Sequence, residues 1–349
     1  MNQEQRLITK REEWEELLAI FEVKENLFLD FQVSDGLRNC DVEVFRYVYY
    51  PENDAEEKPT AIIQWNIEII KVHKILGIAR IACGSREGNG FFHKELSIPE
   101  QQIYLQKSLR ETIKRSKRGI SLLLLPVYIS IVSDCKRDIL PHSLVEEIFS
   151  VELDLSPSVL ELESNFDKKR RNGIRKAQKN GISTNIDRTK EGLSFFYDLK
   201  KSQYWSGDEK TIWTNRTKEA FGAYHQRATT VGKHLLFISK YQRNNVAFAS
   251  VYSIDRKLFY KEGGLDKSFQ EFRPLDRLLM DVIIWGKEHG YTSLDFCGAN
   301  FDEDNNPDAR TKFKLQFGAI PKRYYHYQKI TLPFAGKRTP LLFTRLLTK

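Results

Sequence analysis

The chain has 349 residues, enough for two or three domains, and its 41% hydrophobic and 29% charged residues exclude a long disordered or fibrous protein. A formal net charge of +8 and an isoelectric point near 9.1 favour anionic partners such as a nucleotide, tRNA or an anionic lipid surface. Net charge alone says nothing about the fold, which has to be read from the order of the predicted elements.

The first part of the chain predicts a helix, a hairpin, a second helix and a buried strand. Proline and apolar spacing signal the second helix, which begins near Pro99 and ends before Gly119. The other predicted elements are a helix at 11–22, a helix or strand at 27–33, two hairpin strands at 42–50 and 60–70, and a strand at 120–128.

A strongly basic segment follows at 165–181, with seven basic side chains against the single acid Asp167. We predict two helical turns opened by the Ser156-Pro157-Ser158 sequence, a joint near Ser164, and a basic helix ended by Asn180-Gly181. An inward stripe is formed by Phe166, Ile174 and Ala177, and an outward basic stripe by Lys168, Arg171, Arg175 and Lys179. The basic stripe is interpreted either as a solvated surface or as a contact for phosphate or nucleic acid.

The remaining elements repeat the order of the first half. Three strands at 234–241, 246–254 and 258–263 predict an antiparallel meander. A helix from Pro274 to Gly290 follows, then a strand at 291–297, a polar loop, a short helix at 307–317 and a last strand at 322–330. Two similar units in tandem, 1–150 and 151–349, are the simplest interpretation.

Several classes of site lack their usual signals. The four cysteines form no C-x-x-C pair and the seven histidines are isolated, so we expect neither a disulfide framework nor a metal site. No nucleophile elbow, P-loop or dinucleotide-binding glycine motif is present. The polar start of the chain has no apolar core of a signal peptide, and the apolar run at 120–132 is shorter than the roughly 20 residues that span a bilayer, which predicts a cytoplasmic protein.

Four marks occur in a defined order along the second half. They are the basic helix ending R-x-x-I-x-K-A-x-K-x-G at 171–181, the meander end Glu262-Gly263-Gly264, the sequence G-x-x-x-x-D-F-x-G at 290–298, and F-K-x-x-F-G at 313–318. In this order they resemble the Fem family of peptidoglycan interpeptide-bridge aminoacyltransferases and the related N-acyltransferases of the GNAT superfamily. The resemblance covers about residues 151–330, and it implies an α+β fold of two tandem GNAT-like units, each a mixed, mostly antiparallel sheet flanked by helices.

The resemblance also implies a reaction and its residues. An acyl group would pass from aminoacyl-tRNA or acyl-CoA, as a co-substrate with no bound cofactor, to an amine of a cell-wall or envelope-glycan precursor, lipid-linked or nucleotide-linked. Lys314 would stabilise the oxyanion of the tetrahedral intermediate and Phe313 would shape the pocket. The acceptor amine would be deprotonated by the substrate itself or by Glu262 or Asp295.

The phosphates of the precursor or of tRNA would then meet the basic stripe, Lys168, Arg171, Arg175 and Lys179, where guanidinium groups favour bidentate contacts. Each site residue has a plainer interpretation: Lys314 as an exposed helical lysine, Asp295 as a loop contact, Glu262 as an ion-pair partner, and Phe313 as core.

Three further expectations bear on donor and location. The turn at 270–274 has no glycine, which argues against conventional CoA binding. The sequence also lacks a heptad pattern, so we do not expect the long helical hairpin that some tRNA-dependent relatives contain. The basic and leucine-rich end at 337–349 is interpreted as a docked terminal helix or as a peripheral contact with the inner membrane leaflet. Two alternative functions remain: an acetyl-CoA-dependent N-acetyltransferase acting on an amino sugar, and a non-catalytic protein that binds RNA or anionic lipid.

Overall fold

The computed structural model describes residues 4–23, 42–51, 58–71, 77–83, 91–93, 95–116, 127–133, 143–204, 222, 225–226, 228–229, 232, 234–254 and 256–331. The chain divides into two compact units. The first comprises Met1–Lys24, Phe28–Glu147 and Tyr324–Lys349, and the second comprises Glu25–Leu27 and Ile148–Arg323. The division lies close to the predicted one at residue 150, but the segment from Tyr324 onwards groups with the first unit, because the last strand pairs there with a strand of that unit.

The helices are α1 (Arg11–Ile20), α2 (Ile98–Arg115), α3 (Val159–Asn165), α4 (Lys168–Lys179), α5 (Lys190–Tyr204), α6 (Pro274–Glu288) and α7 (Ala309–Leu315). The strands are β1 (Glu4–Ile8), β2 (Val42–Tyr50), β3 (Ala61–Lys71), β4 (Gly77–Cys83), β5 (Phe91–Phe92), β6 (Val127–Ser133), β7 (Leu144–Asp154), β8 (Ser183–Ile186), β9 (His234–Tyr241), β10 (Asn244–Ile254), β11 (Lys257–Leu265), β12 (Ser293–Asp295) and β13 (Ile320–Thr331). No helix within the described ranges is both long and apolar enough to cross a membrane.

The sheet of the first unit runs in the order β1-β2-β3-β4-β6-β13. Its pairs are antiparallel except β4 with β6, so the predicted hairpin of β2 and β3 is confirmed. Helix α2 covers this sheet, and its capping box of Ser97 and Glu100 explains why it begins where predicted. Trp65 donates to Ser108 Oγ at 2.8 Å across this packing. The predicted strand at 120–128 enters the described residues only at Val127, where β6 begins, and 27–33 and 337–349 lie outside them.

The sheet of the second unit runs in the order β7-β12-β11-β10-β9-β8. Strands β9, β10 and β11 form the predicted antiparallel meander, and α6 connects β11 to its parallel neighbour β12. Helix α6 buries its apolar stripe against this sheet, as its spacing predicted, and residues so placed each contribute about 1.5–3 kcal/mol through burial. Strand β12 is shorter than predicted because Tyr291 N bonds back to Gly286 O and Cys297 adopts a left-handed conformation with φ 52°.

The joint between α3 and α4 lies at Phe166 and Asp167, close to its predicted place. Ser158 caps α3 in a capping box with Glu161, so Pro157 precedes the cap instead of occupying the first turn. Asp167 accepts a hydrogen bond from Lys169 N at 2.7 Å and caps α4, and Gly181 ends the segment with φ 73°. The predicted inward stripe is confirmed, since Phe166, Ile174 and Ala177 are all buried.

Candidate active site

An open basic cleft lies along the first two turns of α4. It has a volume of about 530 Å³ and is lined by Asp167, Lys168, Lys169, Asn172, Gly173, Lys176 and Arg273. Four of these seven side chains are cationic against one acid, so the cleft is an electrostatically favourable place for an anion. The three lysines lie on α4 and are exposed, and Arg273 is the residue that immediately precedes α6.

Behind the cleft, one buried carboxylate is shared by two arginines. Asp276, in the first turn of α6, forms ion pairs with Arg170 of α4 at 2.5 Å and with Arg273 Nε at 2.6 Å. The side chains of Arg170 and Asp276 are 4% and 3% exposed. Burial raises the pKa of Asp276 and lowers that of Arg170, while their mutual attraction and Arg273 Nε oppose the loss of charge on the carboxylate.

Gly173 makes this close approach of the two helices possible. A Cβ atom at Gly173 would lie 2.7 Å from Asp276 Oδ2 and 3.1 Å from Arg273 Nε. A larger residue would therefore force apart the carboxylate and the helix that supplies most of the cleft. Glycine is required at position 173 because a side chain on this buried side of α4 would collide with Asp276.

The turn before α6 differs from a glycine-rich phosphate loop. Residues Lys267–Phe272 form a 3₁₀ helix capped by Asp266, and Arg273 has left-handed backbone angles of φ 61° and ψ 39°. The first turn of α6 already holds the carboxylate of Asp276. An acyl-CoA pyrophosphate would thus meet arginine and lysine side chains here more readily than a cradle of glycine backbone amides.

The predicted phosphate-binding residues divide between two faces of α4. Lys168 lines the cleft, whereas Arg175 and Lys179 are exposed and are not among its lining residues. The guanidinium of Arg171 donates to the carbonyl oxygens of Ser164, at 2.9 Å, and Phe166, so it closes the end of α3. The cleft instead uses Lys169, Lys176 and Arg273, which the sequence did not single out. The sequence could have indicated Lys169 and Lys176, because these two residues share one helical face with positions 172 and 173.

Lys314 and Asp295 support the same turn from two directions. Lys314 Nζ donates to the carbonyl oxygens of Cys297 and Gly298. Asp295 is buried, and its Oδ1 accepts from the Ser150 hydroxyl and from Cys297 N, the latter at 2.7 Å. Both residues of the turn, Cys297 and Gly298, have positive φ values of 52° and 51°.

Phe313, the neighbour of Lys314, lies at the junction of α4 and α7. Its ring is 4.6 Å from Arg170 Cζ, and it meets Phe317 edge-on with centroids 5.5 Å apart. Phe317 in turn contacts Phe166 at the joint of α3 and α4, with centroids 5.2 Å apart. Phe313 is half-buried, so it is partly a core residue and partly available to line a pocket.

Glu262 lies on β11 and has its own partner, the Nζ of Lys200 on α5. The register of β10 and β11 shifts between Ser250 and Val251, so β11 contains a bulge beside Glu262. The following Gly264 packs against Phe248, whose ring occupies the space that a Cβ would need. No three His, Cys, Asp or Glu side chains converge as metal ligands among the described residues.

Comparison with known proteins agrees with the fold and with the class of reaction. Residues 164–305 match the model of the acetyltransferase (GNAT) domain. The match begins at the end of α3 and stops before α7, so it contains the cleft, Glu262 and Asp295 but not Phe313 or Lys314. No curated protein sequence matches the chain.

Solved structures of similar fold extend the likeness to nearly the whole chain. FemX has a TM-score of 0.60 at 13% identity, over 94% of this chain and 97% of FemX. A tandem GNAT protein from the clavulanic acid biosynthesis pathway has a TM-score of 0.57 at 11% identity, over 96% of this chain and 100% of that one. L-PGS from Bacillus licheniformis has a TM-score of 0.55 at 14% identity, over 97% of each chain.

The fold is therefore that of two tandem GNAT-like units with mixed, mostly antiparallel sheets flanked by helices, as the sequence predicted. With the GNAT domain matched at 164–305, the protein is an acyltransferase, and enzymes with this domain use an acyl-CoA as co-substrate. At these identities the structural neighbours show the fold alone, and membership of the Fem family in particular stays a hypothesis.

Proposed function

We propose that the protein transfers an acyl or aminoacyl group to an amine of a phosphate-bearing precursor of the cell wall or envelope glycan. The basic cleft carries this proposal, because it gathers four cationic side chains, three from α4 and one from Arg273 before α6, within the matched GNAT domain. Lysine and arginine contacts of this kind suit the phosphates of a lipid-linked or nucleotide-linked precursor, and those of tRNA or CoA.

The reaction that fits is direct transfer. The acceptor amine attacks the carbonyl carbon of the donor ester or thioester, the carbonyl oxygen becomes an oxyanion, and the bond to the tRNA hydroxyl or CoA thiol breaks. The amine loses a proton and the leaving group gains one. A lysine cation held by two carbonyl groups, as Lys314 is, provides a fixed positive charge for the oxyanion without reorganisation during the reaction.

The first experiment identifies the acyl donor. Purified protein is incubated with labelled acetyl-CoA or with charged tRNA, each with a nucleotide-linked or lipid-linked peptidoglycan precursor or a free amino sugar. We expect label to appear on the amine of the precursor from one of the two donors. Absence of an acylated product from both donors with every acceptor would contradict the proposal.

A second test concerns the cleft. The paired variant Lys169→Ala/Lys176→Ala removes two lining cations, and the matched variant Arg175→Ala/Lys179→Ala removes two exposed cations of the same helix outside the lining. Affinity for the phosphate-bearing substrate should fall about tenfold or more in the first variant, with a shallower dependence on salt, and little in the second. Equal losses would assign the effect to net charge.

An acetyl-CoA-dependent N-acetyltransferase acting on an amino sugar is the second candidate. It is favoured by one observation, the match of residues 164–305 to an acetyltransferase domain. It differs from the first candidate in donor and acceptor, so label moving from acetyl-CoA to the free sugar, with none on the precursor, would favour it.

A further inference from the structure

Arg170 connects three helices through one buried side chain. It lies on α4, forms an ion pair with Asp276 on α6, and places its guanidinium over the ring of Phe313 on α7, with Cζ 4.6 Å from the ring centroid. Its side chain is 4% exposed, and it is not among the residues that line the cleft. Arg170 therefore has no direct route to a ligand in the cleft.

Helix α7 depends on such contacts for its position. It has only seven residues, and helices of that length are not stable without packing. Its other described supports include the cap by Asp308, a hydrogen bond from Asn300 N to Thr311 Oγ1 at 2.9 Å, and the contact of Phe313 with Phe317. Lys314 Nζ also bonds the carbonyls of Cys297 and Gly298, and Asp167 N donates to Gln316 O at 2.8 Å. Among these contacts, the guanidinium of Arg170 is the one that links Phe313 to the buried carboxylate of Asp276.

We propose that Arg170 is a positioning residue, which holds Phe313, and with it Lys314, in the place required for acyl transfer. The proposal rests on the proposed function for the role of Lys314, but the position of α7 can be measured without it. A guanidinium is planar and can lie on an aromatic ring while its edge bonds a carboxylate. A lysine ammonium keeps the ion pair with Asp276 but cannot provide the same flat contact to Phe313.

The test compares three variants by hydrogen exchange of the backbone amides at 309–315. Arg170→Lys keeps the charge, Arg170→Met removes it, and Arg170→Met/Asp276→Leu removes both members of the pair, so that no carboxylate is left buried without its Arg170 partner. Arg175→Lys, on the exposed side of α4, is the matched control. Denaturant unfolding of each variant separates global stability from local exchange.

We expect exchange at 309–315 to rise roughly tenfold in Arg170→Lys, from loss of the contact to the ring, and to stay unchanged in the control. Exchange at 309–315 should also be faster than in the wild type in Arg170→Met/Asp276→Leu, even where the global stability of that variant recovers. Exchange at the wild-type rate in the lysine or double variant would overturn the proposal, since charge compensation alone would then explain Arg170.

Where the donor assay yields product, kcat should fall in Arg170→Lys while KM for the phosphate-bearing substrate stays unchanged, because the cleft is intact. An increase in KM alone would contradict positioning. If wild-type protein forms no product, the proposed function fails and the exchange experiment still decides whether Arg170 positions α7.

Discussion

Lys200 and Glu262 form an ion pair in which the lysine side chain is 9% exposed and the glutamate 22%. The pair joins α5 to the bulged part of β11, so the glutamate has a structural role whatever it does in catalysis. Of the two interpretations that the sequence left open for Glu262, the ion pair is present in the structure, and a role as base remains a prediction.

Glu262→Gln separates the two roles. Because it removes the charge that Glu262 places beside the largely buried Lys200, we expect the free energy of unfolding to fall by roughly 3 kcal/mol, measured by urea denaturation. Lys200→Met/Glu262→Leu should recover most of that loss. The exposed pair Arg11 and Glu15 is the control, and its removal should cost less than about 1 kcal/mol. Unchanged stability with lost turnover in Glu262→Gln would instead identify a base.

Asp295→Asn should retain most activity. The carboxylate oxygen Oδ1 accepts hydrogen bonds from Ser150 and Cys297, and an amide oxygen can accept the same bonds. Asp295→Ala should lower stability by about 1–3 kcal/mol, because it leaves buried donors without an acceptor, and should lower turnover because the turn that holds Lys314 loses its support. A loss of a hundredfold or more in kcat for Asp295→Asn would show that its charge takes part in the chemistry.

Lys314→Ala should lower kcat by about a hundredfold or more and change acceptor binding little, since its charge matters chiefly when the oxyanion forms. Lys312→Ala is the matched control, because Lys312 is an exposed lysine of the same helix. Steady-state kinetics with the active donor and an equilibrium binding assay for the acceptor give the two quantities. Equal losses in both assays would assign Lys314 to substrate binding.

We expect His234 to make the free energy of unfolding depend on pH in the acidic range. His234 is buried between hydrogen bonds with Ser250 Oγ at 2.9 Å and Thr229 Oγ1 at 3.0 Å, and burial lowers its pKa to about 3 from the usual 6.5. Between these values the unfolded chain binds a proton that the native protein does not, so the free energy of unfolding falls as the pH is lowered. The slope from this group approaches about 1.4 kcal/mol per pH unit.

His234→Gln removes the titrating group and keeps an amide for the two hydrogen bonds. Its unfolding free energy, measured by urea denaturation from pH 7 to pH 4, should therefore depend less steeply on pH than that of the wild type. Parallel curves for the two proteins would mean that His234 does not control acid stability.

The elements that the sequence predicted well are those with local causes. The apolar stripe of α6 and the turns of the meander are visible within a few residues, and so is the glycine exit of the basic helix at Gly181. The caps were predicted less well. The Ser156-Pro157-Ser158 sequence indicated where α3 begins, but the cap is Ser158, which follows the proline, and the cap of α4 by Asp167 was not predicted.

The site was harder to predict because its decisive contacts join residues far apart in the chain. Arg170 is one cation in a basic run, and its burial depends on Asp276, 106 residues later. Gly173 gives the one local hint, since a glycine three residues further on leaves space on the same face. Arg171 was predicted to bind phosphate from the basic stripe and the family resemblance, and in the structure its guanidinium donates to the carbonyls that end α3.

At position 273, thermal stability and affinity for the substrate favour different residues. The φ of 61° at Arg273 lies in a region where a residue with a side chain costs about 1 kcal/mol relative to glycine. Arg273 also lines the cleft, and its Nε pairs with Asp276. Directed evolution for heat resistance alone would relax this backbone by admitting glycine at 273, whereas selection for turnover would keep the arginine. Position 273 is thus where improved variants of the two kinds should diverge.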